Sequence, residues 1–366
     1  MGARGDELHL LDVLPLRGRG VIGLLRGAGR ALGVLPAARR LVRRLDASVV
    51  FSVGGYAAGP VALAARSLGL PVTLLEPNAV AGFTNRLLAP LATRAYVAFP
   101  EVRSSLRARD VQWTGVPLRR RFNRAPYPEH DRMSVLVLGG SQGAKALNET
   151  VPRAVAACRD QGVPLQVVHQ TGRDKEGEVH ELYRELGLAE CAEVVPFIDD
   201  VAGALARTEV FVGRAGASSL AELCAVGRPG ILIPYPYAAD DHQRKNAESL
   251  ERAGAARCVV QAEANADRLA VELATLGRDA GLRRRMAERS AERGRSDAAR
   301  EVARDLLRLA DGRPRAHDAV GQSGEDRPEQ DRSSIQRRRS GAAVGTVPVS
   351  SVEGRHAAMA ATEVLP

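Results

Sequence analysis

The sequence contains no run of eighteen or more apolar residues, no CxxC pair and, over residues 1–127, no lysine. Each absence closes off a class of protein. A helical membrane span needs roughly twenty largely apolar residues in a row, so none is expected here. The opening stretch "MGARGDELHLLDVLPLRGRG" lacks the apolar core of a secretory signal, and the expectation is a soluble, cytosolic chain. Cys158, Cys191, Cys224 and Cys258 lie about thirty residues apart, which predicts reduced thiols rather than disulfides or a metal site. Helix-turn-helix, zinc-finger and aromatic stacking patterns are missing too, which argues against nucleic acid as a partner.

What is present is a chain of 366 residues, 45% hydrophobic and 26% charged. That is long enough for two globular domains of ordinary size. The net charge of +9 is unevenly spread: residues 1–127 carry 19 Arg against 7 acids, whereas residues 128–311 carry 25 basic and 29 acidic residues. Two halves with different partners are expected, the basic one suited to an anionic membrane surface or an anionic substrate.

From Ala47 onward short β-rich runs alternate with helical runs. "ASVVFSV", "LPVTLLE" and "RAYVAF" read as strands, with helices "VALAARSLG" and "TNRLLAPLA" between them. A second series starts at Ser134, with strands "SVLVLG", "LQVVHQ", "AEVVPF", "EVFVGR" and "PGILIPY". Apolar runs without alternation, separated by helices, predict parallel sheets covered on both faces. The fold class is α/β, with two doubly wound, Rossmann-like domains facing a cleft and a linker near "RRRFNRAPYPEH". The expected units are 1–127, completed by a C-terminal helix about 296–311, then 128–295, then a disordered tail 312–366. Only 46 residues precede "ASVVFSV", so the first unit is expected to lack an opening βαβ element, which takes about thirty residues.

Three stretches carry chemistry. Gly139-Gly140-Ser141-Gln142-Gly143-Ala144 follows a strand and opens a helix. Backbone N–H groups in such a turn, with the positive helix end behind them, hold a phosphate; the plain alternative is a strand-to-helix connection. The spacing is neither GxGxxG nor a Walker loop. Gly54-Gly55-Tyr56 repeats the arrangement in the first unit. In "RAGASSLAELCAVGRPGILIPYP", Ala217, Ser218 and Ser219 open a helix that is expected to carry Glu222 in its first turn. Glu222 then either complements the helix dipole or accepts from two ribose hydroxyls. In "AADDHQRKNA", His242, Gln243 and Asn246 recur at helical spacing, which suits sugar hydroxyls or a solvated helix start.

Taken together these stretches resemble the bacterial peptidoglycan glycosyltransferase family that adds N-acetylglucosamine to the undecaprenyl-linked muramyl-pentapeptide intermediate. The matching runs are "VGGYAAGPVALAARSLGLPVTLLEPNAVAGFTNRLLAPLA", "GVPLR", "LGGSQGAKALN", "HQTG", "PFIDDV", "RAGASSLAELCAVGRPGILIPYP" and "HQRKNA", in family order from about Leu8 to about Leu309. The resemblance implies a metal-independent, cofactor-free, inverting transferase with UDP-N-acetylglucosamine as donor. It places Ser141, Gln142 and Gly143 at the donor diphosphate and Ile198 at the uracil. Ala217, Ser218 and Ser219 fall at the phosphate and nucleotide site, Glu222 on the ribose and Arg119 near the donor. Gln243 and Asn246 meet the sugar; His242 stands just before them, where the family often has Gln. Gly54, Gly55 and Tyr56 contact the acceptor diphosphate, and Asn78 the acceptor sugar. The partners implied are the UDP-sugar, the lipid-linked acceptor and, through "LRGRGVIGLLRGAGRALGVLPAARRLVRRL", an anionic membrane on the cytoplasmic side. The plain alternative for that stretch is an ordinary helix packed on the sheet with solvated arginines on its outer face; membrane contact is the favoured reading.

The family also opens with a glycine-rich loop ending in a histidine, the candidate general base, and no such loop stands in this sequence. His9 matches a later family segment, so the catalytic base is unassigned. A shortened chain, a loss of activity and substitution by another group all remain open. The rival functions are UDP-sugar transfer to a glycerolipid and donor binding without catalysis.

Overall fold

The structure, a computed structural model, describes residues 9, 11, 33–55 and 57–312. Most of the arginine-rich segment, Tyr56 and the tail after residue 312 lie outside the described residues. No helix among those described is long and apolar enough to cross a membrane.

Two parallel sheets form. The first runs β1 (Val50–Ser52), β2 (Val72–Glu76), β3 (Arg94–Val97) and β4 (Val111–Trp113), in that spatial order. The second has six strands: β5 (Met133–Leu138), β6 (Leu165–Gln170), β7 (Ala192–Val195), β8 (Val210–Gly213), β9 (Gly230–Leu232) and β10 (Ala256–Cys258), ordered β10-β9-β8-β5-β6-β7. β4 and β10 escaped the reading of the sequence. Each is three residues long with a polar centre, Gln112 or Arg257, so neither gives an apolar run.

β2 shows why these strands sit centrally: all five of its residues are buried. Val72 and Leu74 face one core, shared with Ala62 and Ala65 of α2 (Ala58–Ser67) and with Ala38 and Val42 of α1 (residues 33–44). In its described part, α1 is therefore a helix packed on the sheet, with Arg40, Arg43 and Arg44 outward. Leu75 points the other way, into a cluster with Tyr96, Val302 and Leu306, as the period-two alternation of a strand requires. Val302 and Leu306 belong to α11 (Ala298–Asp311), whose Asp305 takes hydrogen bonds from Arg94 and from the Tyr96 hydroxyl at 2.5 Å. The last helix thus returns to cover the first sheet.

The C-terminal helix expected at about 296–311 is α11, and α10 (Ala280–Arg293) precedes it. The break falls at Gly294, which passes so close to the end of α7 (Ala217–Val226) that a Cβ there would lie 2.4 Å from the Cys224 carbonyl oxygen. In the second unit α4 (Lys145–Asp160) buries Leu147, Val151, Ala154, Val155 and Cys158, an i, i+4, i+7, i+8, i+11 stripe that lays one face on the sheet. All four cysteines are free thiols, Cys158 and Cys224 buried and the other two partly so.

The linker is held by buried charge. Arg228, 1% exposed, donates to the carbonyls of Ala125 and Pro126 in the linker and to those of Leu205, Ala206, Val226 and Gly227. Glu209, fully buried, receives Arg283 Nη2 at 3.0 Å and the Ser134 amide at 2.9 Å.

Candidate active site

In the second sheet the chain runs outward from β5 through β6 to β7, then returns to lay β8 on the other side of β5. The turns after β5 and β8 therefore part at the sheet's topological switch point, where doubly wound folds bind ligands. Leu138 and Gly213, the last residues of these strands, are direct partners.

The turn after β5 is fixed by backbone contact. Gly143 has φ +70° and packs against the Thr171 carbonyl, where a Cβ would meet the oxygen at 1.8 Å; Gly172 packs reciprocally on the Gln142 carbonyl. Asn148 donates to Thr171 O at 3.0 Å and Lys175 to Gln142 O at 2.7 Å. The "HQTG" stretch thus supports the glycine turn from the neighbouring strand. Ser141 and Gln142 stay exposed, and no backbone carbonyl among the described residues takes their N–H groups.

The turn after β8 leads into α7, which starts at Ala217 with Gly216 as N-cap and no side-chain cap. Its first amides, with Ala217, Ser218 and Ser219, are left for an external acceptor. Glu222 lies in the second turn of α7, not the first, so the dipole reading loses its basis, since that effect fades within one turn. Burial pushes the Glu222 carboxyl up, against the pull of Arg119 and Arg121. Ile198 is half-buried beside exposed Phe197, and next to them Asp200 caps α6 (Val201–Ala206) by accepting from Gly203 N. Asp200 is spent on that cap, and no group of three or more His, Cys, Asp or Glu able to hold a metal exists among the described residues.

α8 (His242–Arg252) closes the site from above. Gln243 Oε1 accepts from Ala215 N at 3.2 Å and Tyr235 N at 3.0 Å, which leaves its amide NH2 for a ligand. Asn246, expected at the donor sugar, is fully buried. Its Oδ1 accepts from Ala79 N at 2.7 Å and its Nδ2 donates to Asn78 Oδ1 and Ala215 O. One turn further into the helix than Gln243, it bonds to the loop after β2 of the first unit and to the turn after β8 of the second. Arg214 donates to the carbonyls of Ile233 and Pro234 and to Gln261, fixing the loop that leads to α8.

Opposite lies the first unit's ligand face. Gly54 (φ +93°) and Gly55 (φ +80°) form a left-handed turn after β1, with the Gly54 Cα against the Asn85 amide. Glu76, which reading the strand "LPVTLLE" passed over, organises this face. It is 1% exposed and accepts from Asn78 N, Gly82 N and the side chains of Asn78 and Asn85 at 2.8–3.3 Å. A lone acid ending an otherwise apolar buried strand was the available signal. Gly54, Gly55, Asn78 and Phe83 line one wall of an open cleft, and Ala239, Asp240 and His242 the other.

Two parallel α/β units sharing a cleft, with a glycine turn and an uncapped helix at the switch point of the second, define the two-Rossmann (GT-B) class of glycosyltransferase. The model of the glycosyltransferase family 28 N-terminal domain matches residues 3–97 and that of the C-terminal domain residues 134–302, and the chain belongs to this family. It is 63% identical to a UDP-N-acetylglucosamine–N-acetylmuramyl-(pentapeptide) pyrophosphoryl-undecaprenol N-acetylglucosamine transferase of Sorangium cellulosum, over 85% of this chain and 77% of that one. An enzyme of the same name from Acidithiobacillus ferrooxidans is 42% identical over 84% and 86%. The crystal structure of Acinetobacter baumannii MurG superposes with a TM-score of 0.70 at 32% identity, covering 82% and 84%.

Proposed function

We propose that this chain transfers N-acetylglucosamine from its UDP donor to a polyprenyl-diphosphate-linked N-acetylmuramoyl-pentapeptide, inverting the anomeric carbon. The observation that carries the reading is the pair of ligand faces across one cleft. A phosphate cradle, with Ser141, Gln142, Gly143 and the first turn of α7, stands on one side. The Gly54-Gly55 turn and the Glu76-ordered loop stand on the other. The identity of the transferases named above supports the assignment of donor and acceptor.

In this reading Ser141 to Gly143 and residues 217–219 hold the donor diphosphate. Ile198 meets the uracil, Glu222 the ribose hydroxyls, Gln243 the sugar, and Arg119 lies beside the donor. Gly54, Gly55 and Tyr56 hold the acceptor diphosphate, with Asn78 at the acceptor sugar. The acceptor 4-hydroxyl attacks the anomeric carbon opposite UDP through an oxocarbenium-like transition state. Negative charge then grows on the leaving diphosphate, where oriented amides and the α7 N-terminus stabilise it with little reorganisation. The enzyme works as a peripheral protein on the cytoplasmic face of the membrane, with residues 1–127, rich in arginine, towards anionic lipid. The proposed division is 1–127 with 296–311 as the acceptor unit and 128–295 as the donor unit.

Incubation of the purified chain with radiolabelled UDP-N-acetylglucosamine tests this against both a lipid-linked muramyl-pentapeptide and diacylglycerol. Label moving to the first acceptor is the expected result; label moving only to diacylglycerol overturns the proposal.

A further inference from the structure

Glu101 belongs to the first unit, in the 3₁₀ turn Pro100–Ser104 that follows β3, and its partners belong to the second. Its Oε1 accepts from Arg293 Nη2 at 2.9 Å and from Ser249 Oγ at 3.1 Å. Arg293 ends α10, just before the chain crosses back to α11, and Ser249 lies two turns into α8, fully buried. We infer that Glu101 is a positioning residue, a latch that holds the two units in the arrangement in which the donor and acceptor walls face each other. The inference rests on the transfer reaction proposed above.

The seam beside the latch is loosely filled, which is why one carboxylate can decide it. A small cavity there takes its walls from both units: Ala98, Phe99 and Leu118 from the first, Leu220, Ala221 and Leu250 from the second. Apolar side chains that face a void forgo part of their dispersion contact. Arg293 and Arg295 line the same cavity, and Arg293 Nη1 and Arg295 Nε are buried without a hydrogen-bond partner. Each of these groups carries a desolvation penalty while the seam is shut, and opening lets water reach both. The shut arrangement therefore depends on specific polar attachments, Asn246 near the cleft and Glu101 near the chain crossing. Burial pushes the Glu101 carboxyl up, but the Arg293 guanidinium and the Ser249 hydroxyl outweigh it and hold the group below its ordinary value. The latch stays charged.

α8 carries the consequence to the reaction. It opens at the cleft, where Gln243 holds the turn after β8 at Ala215. Tying the same helix to the first unit at Ser249 fixes how far the second unit stands from the Gly54-Gly55 turn. A displacement between two bound substrates tolerates little misplacement of the reacting atoms. Loosening the latch therefore lowers kcat, while donor binding, which uses the second unit alone, is left as it was.

The chain's single tryptophan reports on this seam: the Trp113 ring lies under the Arg295 guanidinium at 3.7 Å, and its indole N–H donates to Ala98 O at 3.0 Å. The test compares full-length wild type, Glu101→Ala and Glu101→Gln for transfer to the lipid-linked acceptor, donor Kd and acrylamide quenching of Trp113. Glu101→Ala is expected to lose kcat by about three- to tenfold and to be quenched more readily, with the donor Kd within about twofold of wild type. Glu101→Gln keeps a carbonyl acceptor for Ser249 and Arg293 and is expected to fall between the two. Donor binding confirms that the variants fold. A Glu101→Ala enzyme with wild-type quenching and kcat overturns the inference, as does a loss carried wholly by donor affinity. Absence of transfer by the wild type overturns the transfer reading instead, and the quenching comparison then decides the latch by itself.

Discussion

Asn246 Nδ2 donates to Asn78 Oδ1 at 3.1 Å, joining a helix of the second unit to the loop after β2 of the first. The same Asn246 receives Ala79 N at 2.7 Å, so one buried amide clasps both halves next to the cleft. A buried amide whose partner is removed keeps its desolvation penalty, about 1–3 kcal/mol per group. Asn246→Ala strands the Ala79 N–H and frees Asn78. The expected loss of stability is roughly 2–4 kcal/mol in urea unfolding, with a coupling above about 0.5 kcal/mol in a cycle with Asn78→Ala. Additive effects of the two substitutions contradict the clasp.

The glycine turn gives the sharpest test of donor binding. At Gly143 a Cβ meets both a left-handed backbone and the Thr171 carbonyl, so Gly143→Ala must move the turn. UDP-N-acetylglucosamine affinity is expected to fall by about 100-fold or more, near 2.7 kcal/mol. Ser141→Ala keeps the backbone cradle and is expected to lose under about tenfold. Calorimetric titration ranks the two; equal losses count against a backbone-built site.

Much of this was legible because it is local. Apolar runs at β2, β5, β6 and β8 announce buried parallel strands, and glycines at 139, 140 and 143 announce a turn that only glycine can form. What was not legible depends on pairing across the chain. The helical spacing of Asn246 from Gln243 is legible, but the sequence does not show that the first unit's loop reaches Asn246, with Asn78 168 positions away. Glu222 was misplaced by a turn because the start of α7 is set by an uncapped glycine, not by a side-chain signal. β4 and β10 exist only as edge additions to sheets whose inner strands are fixed elsewhere.

Stability is expected to depend on pH through His169, which the fold buries completely between Asn148 and Tyr183. Burial pulls its imidazole down from 6.5 to about 4. Above pH 6.5 neither state holds the extra proton; between 6.5 and 4 the unfolded chain takes it up and the folded one does not. Stability is therefore lost as pH falls through that window, by an order of 3 kcal/mol at the acid end. In urea unfolding between pH 7 and 4.5, His169→Gln is expected to be shallower by up to about 1.4 kcal/mol per pH unit. Parallel curves for the two proteins contradict the assignment.

Glu209 and Arg283 form a desolvated pair, with 0% and 9% of their side chains exposed. Removing one charge leaves the other buried, which costs about 3–5 kcal/mol, whereas replacing both with apolar groups is often neutral. Glu209→Gln is expected to fall in that range by thermal or urea unfolding, and Glu209→Leu with Arg283→Met to recover most of it. A double variant as unstable as the single shows that the hydrogen bonds to Ser134, not the ion pair, carry the effect.

Glu76 shapes the first unit's wall of the cleft, the wall proposed for the acceptor, since all four of its hydrogen bonds come from donors in the loop that follows β2 and in α3 (Phe83–Leu88). A carboxylate suits this place because it is acceptor-only; an amide puts two N–H groups against donors that already point inward. Glu76→Gln therefore disorders Asn78 and Gly82 while the glycine turn after β5, held by Thr171 and Gly172, is untouched. The expected outcome is a rise in KM for the lipid-linked acceptor of about tenfold or more, with the UDP-N-acetylglucosamine Kd unchanged within about twofold. Because Asn78 is also one end of the clasp, the same substitution is expected to weaken the coupling between residues 78 and 246. A variant that loses donor and acceptor affinity together shows that the two faces are not separable, and that outcome refutes the division of labour across the cleft.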